Sequence, residues 1–164
     1  MITEMIGCFE NTLNFLQQQV ADLSDEELIL QLPGAPNHAF WTLGHIIYSC
    51  QAAASELGAE SWLPADWESH FGYGSLPGPA RYNDLSKSAI LADLVEAGKR
   101  LRATLMAMNL NKLAQPLPDA QTSQILPTIG HALMQVLVAH SAFHAGQLAA
   151  WRRAIGRKPV GVFI

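Results

Sequence analysis

Two histidines four residues apart, His140 and His144, stand in AHSAFHAGQ (residues 139–147), a segment otherwise almost free of polar side chains. Positions i and i+4 of a helix share one face, with Cβ atoms about 6 Å apart, so both imidazoles can be directed at one ion. The alternative is packing, each ring satisfied by a hydrogen bond. Gln147 and Trp151 continue the same stripe. No carboxylate lies between the histidines, so the H-E-x-x-H pattern, whose Glu is the general base of a zinc peptidase, is absent.

A catalytic site of the zinc type needs a third protein ligand, generally from another element. His38, His45, His70 and His131 remain. His131 precedes His140 by nine residues, a net half-turn at about 100° per residue, and therefore faces away. His70 falls in a loop with no fixed direction. His38 shares a helix face with His45 but sits about 10 Å along the axis, near the helix start, where water reaches it. His45 lies mid-helix in WTLGHII, with no charged neighbour, next to Gly44, whose lack of a side chain permits close approach by another group. It is either the third ligand or a histidine donating a hydrogen bond across the core. Gln147 is read as an outer partner of a ligand or of substrate, or as the satisfier of a buried backbone group. Trp41, Trp62, Trp67 and Tyr73 either line a pocket or belong to the core. Cys50, about 140° around the helix from His45, is not a ligand.

The elements that must position these side chains read as helices. Ile2, Met5, Ile6, Phe9, Leu13, Leu16, Val20 and Leu23 recur every three or four residues, predicting a first helix from Ile2 to Asp22. Ser24 and Glu27 form a capping box for a short turn. Asn37 is the expected N-cap of a second helix, from His38 to Leu57, stopped by Gly58. Residues 59–83, rich in breakers and in aromatics, predict a long ordered loop. A third helix follows from about residues 84–88, with Leu91, Leu94, Gly98, Leu101, Leu105 and Met108 inward. The last helix runs from Pro127 to Ile155 and ends at Gly156. The expected fold is all-α, one domain over residues 1–164: a four-helix up-and-down bundle with a long crossover loop between helices two and three. Residues 28–55 and 120–151 carry no Asp, Glu, Lys or Arg. Helices two and four are therefore expected to be buried on more than one side, a homodimer interface covering what the bundle leaves open.

Only 15% of the 164 residues are charged and the formal net charge is −4, which argues against a nucleic-acid partner. The basic residues Arg152, Arg153, Arg157 and Lys158 suit a helix C-terminus. The uncharged stretch before Arg152 is interrupted by His131, Gln135, His140, His144 and Gln147, which favours a buried helix over a membrane span. Two cysteines without metal-type spacing and an N-terminus without a secretory pattern predict a cytoplasmic location.

Trp41-x-x-x-His45 on helix two, with His140-x-x-x-His144-x-Gly146-Gln147 on the last, resembles the DinB-like (YfiT-like) superfamily over nearly the whole chain. The resemblance implies a bundle with a long crossover, often a homodimer. It also implies a divalent metal, commonly zinc or nickel, held by His45, His140 and His144, with Gln147, Trp41 and His38 as nearby candidates. Activities in the family include S-transferases that use low-molecular-weight thiols such as bacillithiol or mycothiol, a mycothiol-dependent maleylpyruvate isomerase, and domains of ergothioneine-forming enzymes. Three functions are thereby expected in order: a thiol-dependent S-transferase acting on a small electrophile, a hydrolase using bound hydroxide, and a non-catalytic metal-binding bundle.

Overall fold

The computed structural model describes residues 2–161. Helix α1 (Ile2–Val20) buries Met5, Ile6, Phe9, Leu13, Leu16 and Val20, the stripe the periodicity predicts, and stops two residues short of the expected end. The capping box closes as expected: the Ser24 N–H donates to Glu27 Oε2 (2.8 Å) and the Glu27 N–H donates to Ser24 Oγ (3.2 Å), seating Leu28 in the core.

Helix α2 (Ala39–Glu56) is buried around most of its circumference, as its lack of charge predicts. Its N-cap is His38 rather than Asn37: the His38 ring accepts a hydrogen bond from the Trp41 N–H. Its far end is a Schellman turn, with Gly58 at φ +92° and the Ala59 N–H donating to the Ala54 carbonyl. The aromatic-rich connection contains a short helix, α3 (Trp67–Phe71), which the breakers around it concealed. Trp67, Phe71 and Tyr82 pack together there as core.

Helix α4 (Lys87–Ala107) is capped by Ser86 and buries Ile90, Leu94, Ala97, Leu101 and Leu105. The expected inward positions Leu91 and Gly98 are only half-buried, because the true stripe lies one residue earlier there, at Ile90 and Ala97; Met108, the C-cap beyond the helix, is half-buried as well. Gly98, also expected inward, lies where a Cβ would come 2.6 Å from Leu13 Cδ1, so α1 and α4 meet closely there.

The last helical run comprises α5 (Ile129–Met134), a π-helical turn over Gln135–His140, and α6 (Ser141–Ala154). Gly156 ends it at φ +84°. In the single chain this run is not buried on more than one side: His131, Met134, Gln135, Ala139, Phe143 and Gly146 are exposed. An uncharged sequence here marks a face without charge, not a face without water.

Helix α2 packs on α4 and α6, and α1 packs on α4 and α6. Gln19 Nε2 donates to the Ala145 carbonyl at 2.9 Å, joining α1 to α6. Arg152 is buried and forked onto Asp22 (2.6 and 2.8 Å), with further bonds to the carbonyls of Gln19 and Lys158. It therefore fastens the end of α6 to α1 beyond any interaction with the helix dipole, and its guanidinium holds the Asp22 carboxyl down to about 2. The described residues form no strand beyond one isolated bridge, Pro116 to Thr128, and no helix among them is long and apolar enough to cross a membrane.

Candidate metal centre

His45 projects from the middle of α2 toward the junction of the π turn with α6, where His140 and His144 project toward it. His140 Nε2 lies 3.0 Å from His45 Nε2 and 3.1 Å from His144 Nε2. One ligand atom from each ring lies within 4.8 Å of the others, a group that could hold a metal ion. The rings meet edge to face, at centroid separations of 4.5 to 5.0 Å. Among the described residues neither carboxylate nor thiol joins this group; the donor set is three imidazole nitrogens.

Orientation comes from behind each ring. His45 Nδ1 is 2.6 Å from the Phe71 carbonyl. A carbonyl only accepts, so Nδ1 carries the proton, and in the neutral ring Nε2 presents its lone pair inward. Trp41, one turn earlier on α2, stacks on His45 at 4.7 Å and 10°, and its indole N–H donates to Ser75 Oγ at 3.1 Å. Nδ1 of His140 and of His144 is buried with no hydrogen-bond partner among the described residues. Gln147, half-buried on the next turn, interacts with His144 without completing a bond to that nitrogen.

Burial disfavours the charged form of all three rings. It pushes His140 down to about 4, with help from the nearby His45, and His144 down to about 3, with help from His140 and His45; Gln147 opposes the shift at His144. His45 is lowered by burial, partly offset by its bond to Phe71. The three are thus neutral at physiological pH, the state in which imidazole ligates a metal. Three neutral nitrogens drawn together, with buried nitrogens left unpartnered behind two of them, make a group that could hold a metal ion.

The remaining candidates sit elsewhere. His38 is not wet: only 1% exposed, it accepts from the Trp41 N–H through Nδ1 (3.1 Å) and donates from Nε2 to the Gly78 carbonyl (2.9 Å). It supports Trp41 and ties a distant loop down, without reaching the triad. His131 is exposed beside Thr128, and His70 is exposed with its ring 2.9 Å from the Asp66 carbonyl. Cys50 is fully buried, its thiol pushed up to about 12, and takes no part. Tyr73 is 99% exposed, Trp62 lies beneath the Arg100 guanidinium, and Trp67 donates to the Gly44 carbonyl. The roomier cavities, about 390 Å³ beside Trp62 and Asp93 and about 400 Å³ beside Ile2 and Met134, lie away from the triad. The Phe71 carbonyl escaped the sequence reading, because a backbone atom leaves no residue-type signature; the one hint was that the aromatic loop had to be ordered.

Residues 9–148, a span that includes all three histidines, match the family model of the DinB superfamily, and the chain belongs to that superfamily. No curated protein gives a significant match.

Proposed function

We propose that this member of the DinB superfamily binds one divalent metal ion, zinc or nickel, through Nε2 of His45, His140 and His144, and acts as a thiol-dependent S-transferase on a small electrophilic substrate. The observation that carries the reading is the convergence of three neutral imidazoles, Nε2 of His45 and of His144 lying 3.0 and 3.1 Å from Nε2 of His140. A three-histidine set leaves a coordination position open and the ion's charge uncompensated. A divalent ion there supplies the positive charge that favours the deprotonated form of a thiol brought to it.

In this reading the protein's own groups do the positioning. The Phe71 carbonyl keeps the proton of His45 on Nδ1, and Trp41 covers one face of that ring. Phe143, 61% exposed and 5.3 Å from the His144 ring, offers an apolar surface for the electrophile at the edge of the site. Gln147 is placed to orient His144 or substrate. The pairwise packing of α1 and α2 on α4 and α6 supports an up-and-down four-helix bundle, with the segment from α2 to α4 as its crossover. The uncharged exposed face with His131, Met134 and Gln135 is where a second copy of the chain would dock to make a homodimer.

Metal content measured by mass spectrometry on untagged protein, followed by metal-dependent consumption of low-molecular-weight thiols with model electrophiles, tests the reading. Close to one ion per chain and turnover that needs both metal and thiol are expected. Turnover without thiol would redirect the assignment to a hydrolase. Absence of metal after reconstitution would end it.

A further inference from the structure

We propose that Gly44 is a positioning residue for the metal centre: by carrying no side chain it lets Phe71 lie against α2, and this sets the hydrogen bond that aims His45. For the metal this inference rests on the function proposed above; for the ring's orientation it stands alone.

Glycine is a poor helix former, and Gly44 occupies the interior of α2 at an ordinary helical conformation, so no turn accounts for it. Tertiary packing does. A Cβ at position 44 would fall 2.7 Å from Phe71 Cγ and closer still to the ring edge. The same residue's carbonyl accepts from Trp67 Nε1 at 3.1 Å. One turn on, Tyr48 donates to Glu68 at 2.9 Å. Helix α3 is therefore seated on the strip of α2 that runs through Gly44 and Tyr48, and the last residue of α3 presents its carbonyl to His45 Nδ1. A methyl group at position 44 must push Phe71 outward, and the carbonyl moves with it. The bond, 2.6 Å here, is lost once the carbonyl has moved outward by roughly 1 Å or has swung off the N–H direction. His45 then loses the partner that fixes both its tautomer and its direction, the kind of outer contact whose loss weakens a metal site by about 10–100-fold.

The test compares Gly44→Ala, Gly44→Ala/Phe71→Ala, Gly98→Ala and His45→Ala with the parent. Zinc affinity is read by competition with a chromophoric chelator, the His45 ring N–H by NMR of metal-free protein, and folding by circular dichroism. Gly44→Ala should bind zinc about 10–100-fold more weakly and lose the hydrogen-bonded Nδ1–H signal while keeping its helicity. Removing the Phe71 ring as well should restore both, because the new methyl then has room. Gly98→Ala, which crowds Leu13 between α1 and α4, should change neither. Parental zinc affinity in Gly44→Ala, with His45→Ala unable to bind, would overturn the inference and leave the metal site intact. If the parent binds neither zinc nor nickel, the metal reading fails, and the ring N–H decides the inference: loss in Gly44→Ala upholds it, retention overturns it. If Gly44→Ala does not fold, the double variant decides in the same way, since a fold that returns with zinc binding and the ring N–H upholds the contact and one that returns without them overturns it.

Discussion

His38 and the triad of His45, His140 and His144 sit on adjoining parts of the molecule and are all substantially buried, yet they do different things. His38 is the more enclosed, at 1% exposure against 5% for His45 and 7% for His144. Burial therefore does not identify the group that could hold a metal. What separates them is the matching of ring nitrogens to partners. His38 accepts from a backbone N–H on one side and donates to a carbonyl on the other, which uses up a neutral imidazole completely. The triad pools three inward nitrogens against one another and leaves two outward ones unpartnered. A histidine with both nitrogens matched is scaffold; a group with lone pairs to spare could hold something electron-poor.

The strongest way to break this contrast is to exchange the phenotypes. His144→Ala should weaken zinc binding by more than about a hundredfold, whereas His38→Ala should leave it nearly unchanged; chelator competition on both variants measures this. Equal losses would erase the distinction. Stability should show the reverse weighting. His38→Ala removes a helix cap and strands the Trp41 N–H and the Gly78 carbonyl, a loss of about 2 kcal/mol in urea unfolding, with His38→Asn recovering the cap alone.

Acid titration sharpens the contrast further. In the unfolded chain the rings of His140 and His144 take protons near 6.5; in the folded protein they resist until about 4 and about 3. The unfolded state therefore binds more protons as the pH falls from about 6.5, and stability declines across that window until the folded rings protonate as well. His38 and His45, also lowered by burial, add to the decline with the same sign. Unfolding of metal-free protein at a series of pH values should show a shallower slope for His144→Leu than for the parent. The smallest effect belongs to Gln147→Leu. Its single contact with His144 is worth no more than about fivefold in zinc affinity, near the net value of one hydrogen bond.

Much of this was readable from residue types. The helices and their ends followed from periodicity, from the Ser24–Glu27 box and from Gly58 and Gly156, because these are local devices whose chemistry lies within a few residues. The convergence of His140 with His144 followed from helical spacing. His38 was misread because histidine is not among the usual capping residues and its second partner, Gly78, lies forty positions away in sequence. Asn37 looked better only on propensity. The stripe of α4 slipped toward Ile90 and Ala97 because Leu and Ile at neighbouring positions both suit the inward face, and only packing chooses. Arg152 looked like a helix-end cation, yet its guanidinium is internal; the carboxylate that makes this tolerable, Asp22, comes from the other end of the chain.

The π-helical turn Gln135–His140 was invisible for a further reason, since the i, i+4 spacing of the histidines reads the same whether or not the preceding turn is wide. Its consequence is kinetic. A wide turn breaks the regular ladder of the last helical run, so this stretch is the one expected to open first, and its final residue is His140. Opening of that turn and release of whatever His140 holds are then one equilibrium viewed from two sides. Amide hydrogens of residues 135–140 should exchange fastest within the run in metal-free protein. They should slow in step with the free ion concentration, since binding to the closed form alone suppresses opening by the factor 1 + [L]/Kd. The backbone would thereby report on the site, and a loose turn would set how quickly the site can be filled and emptied.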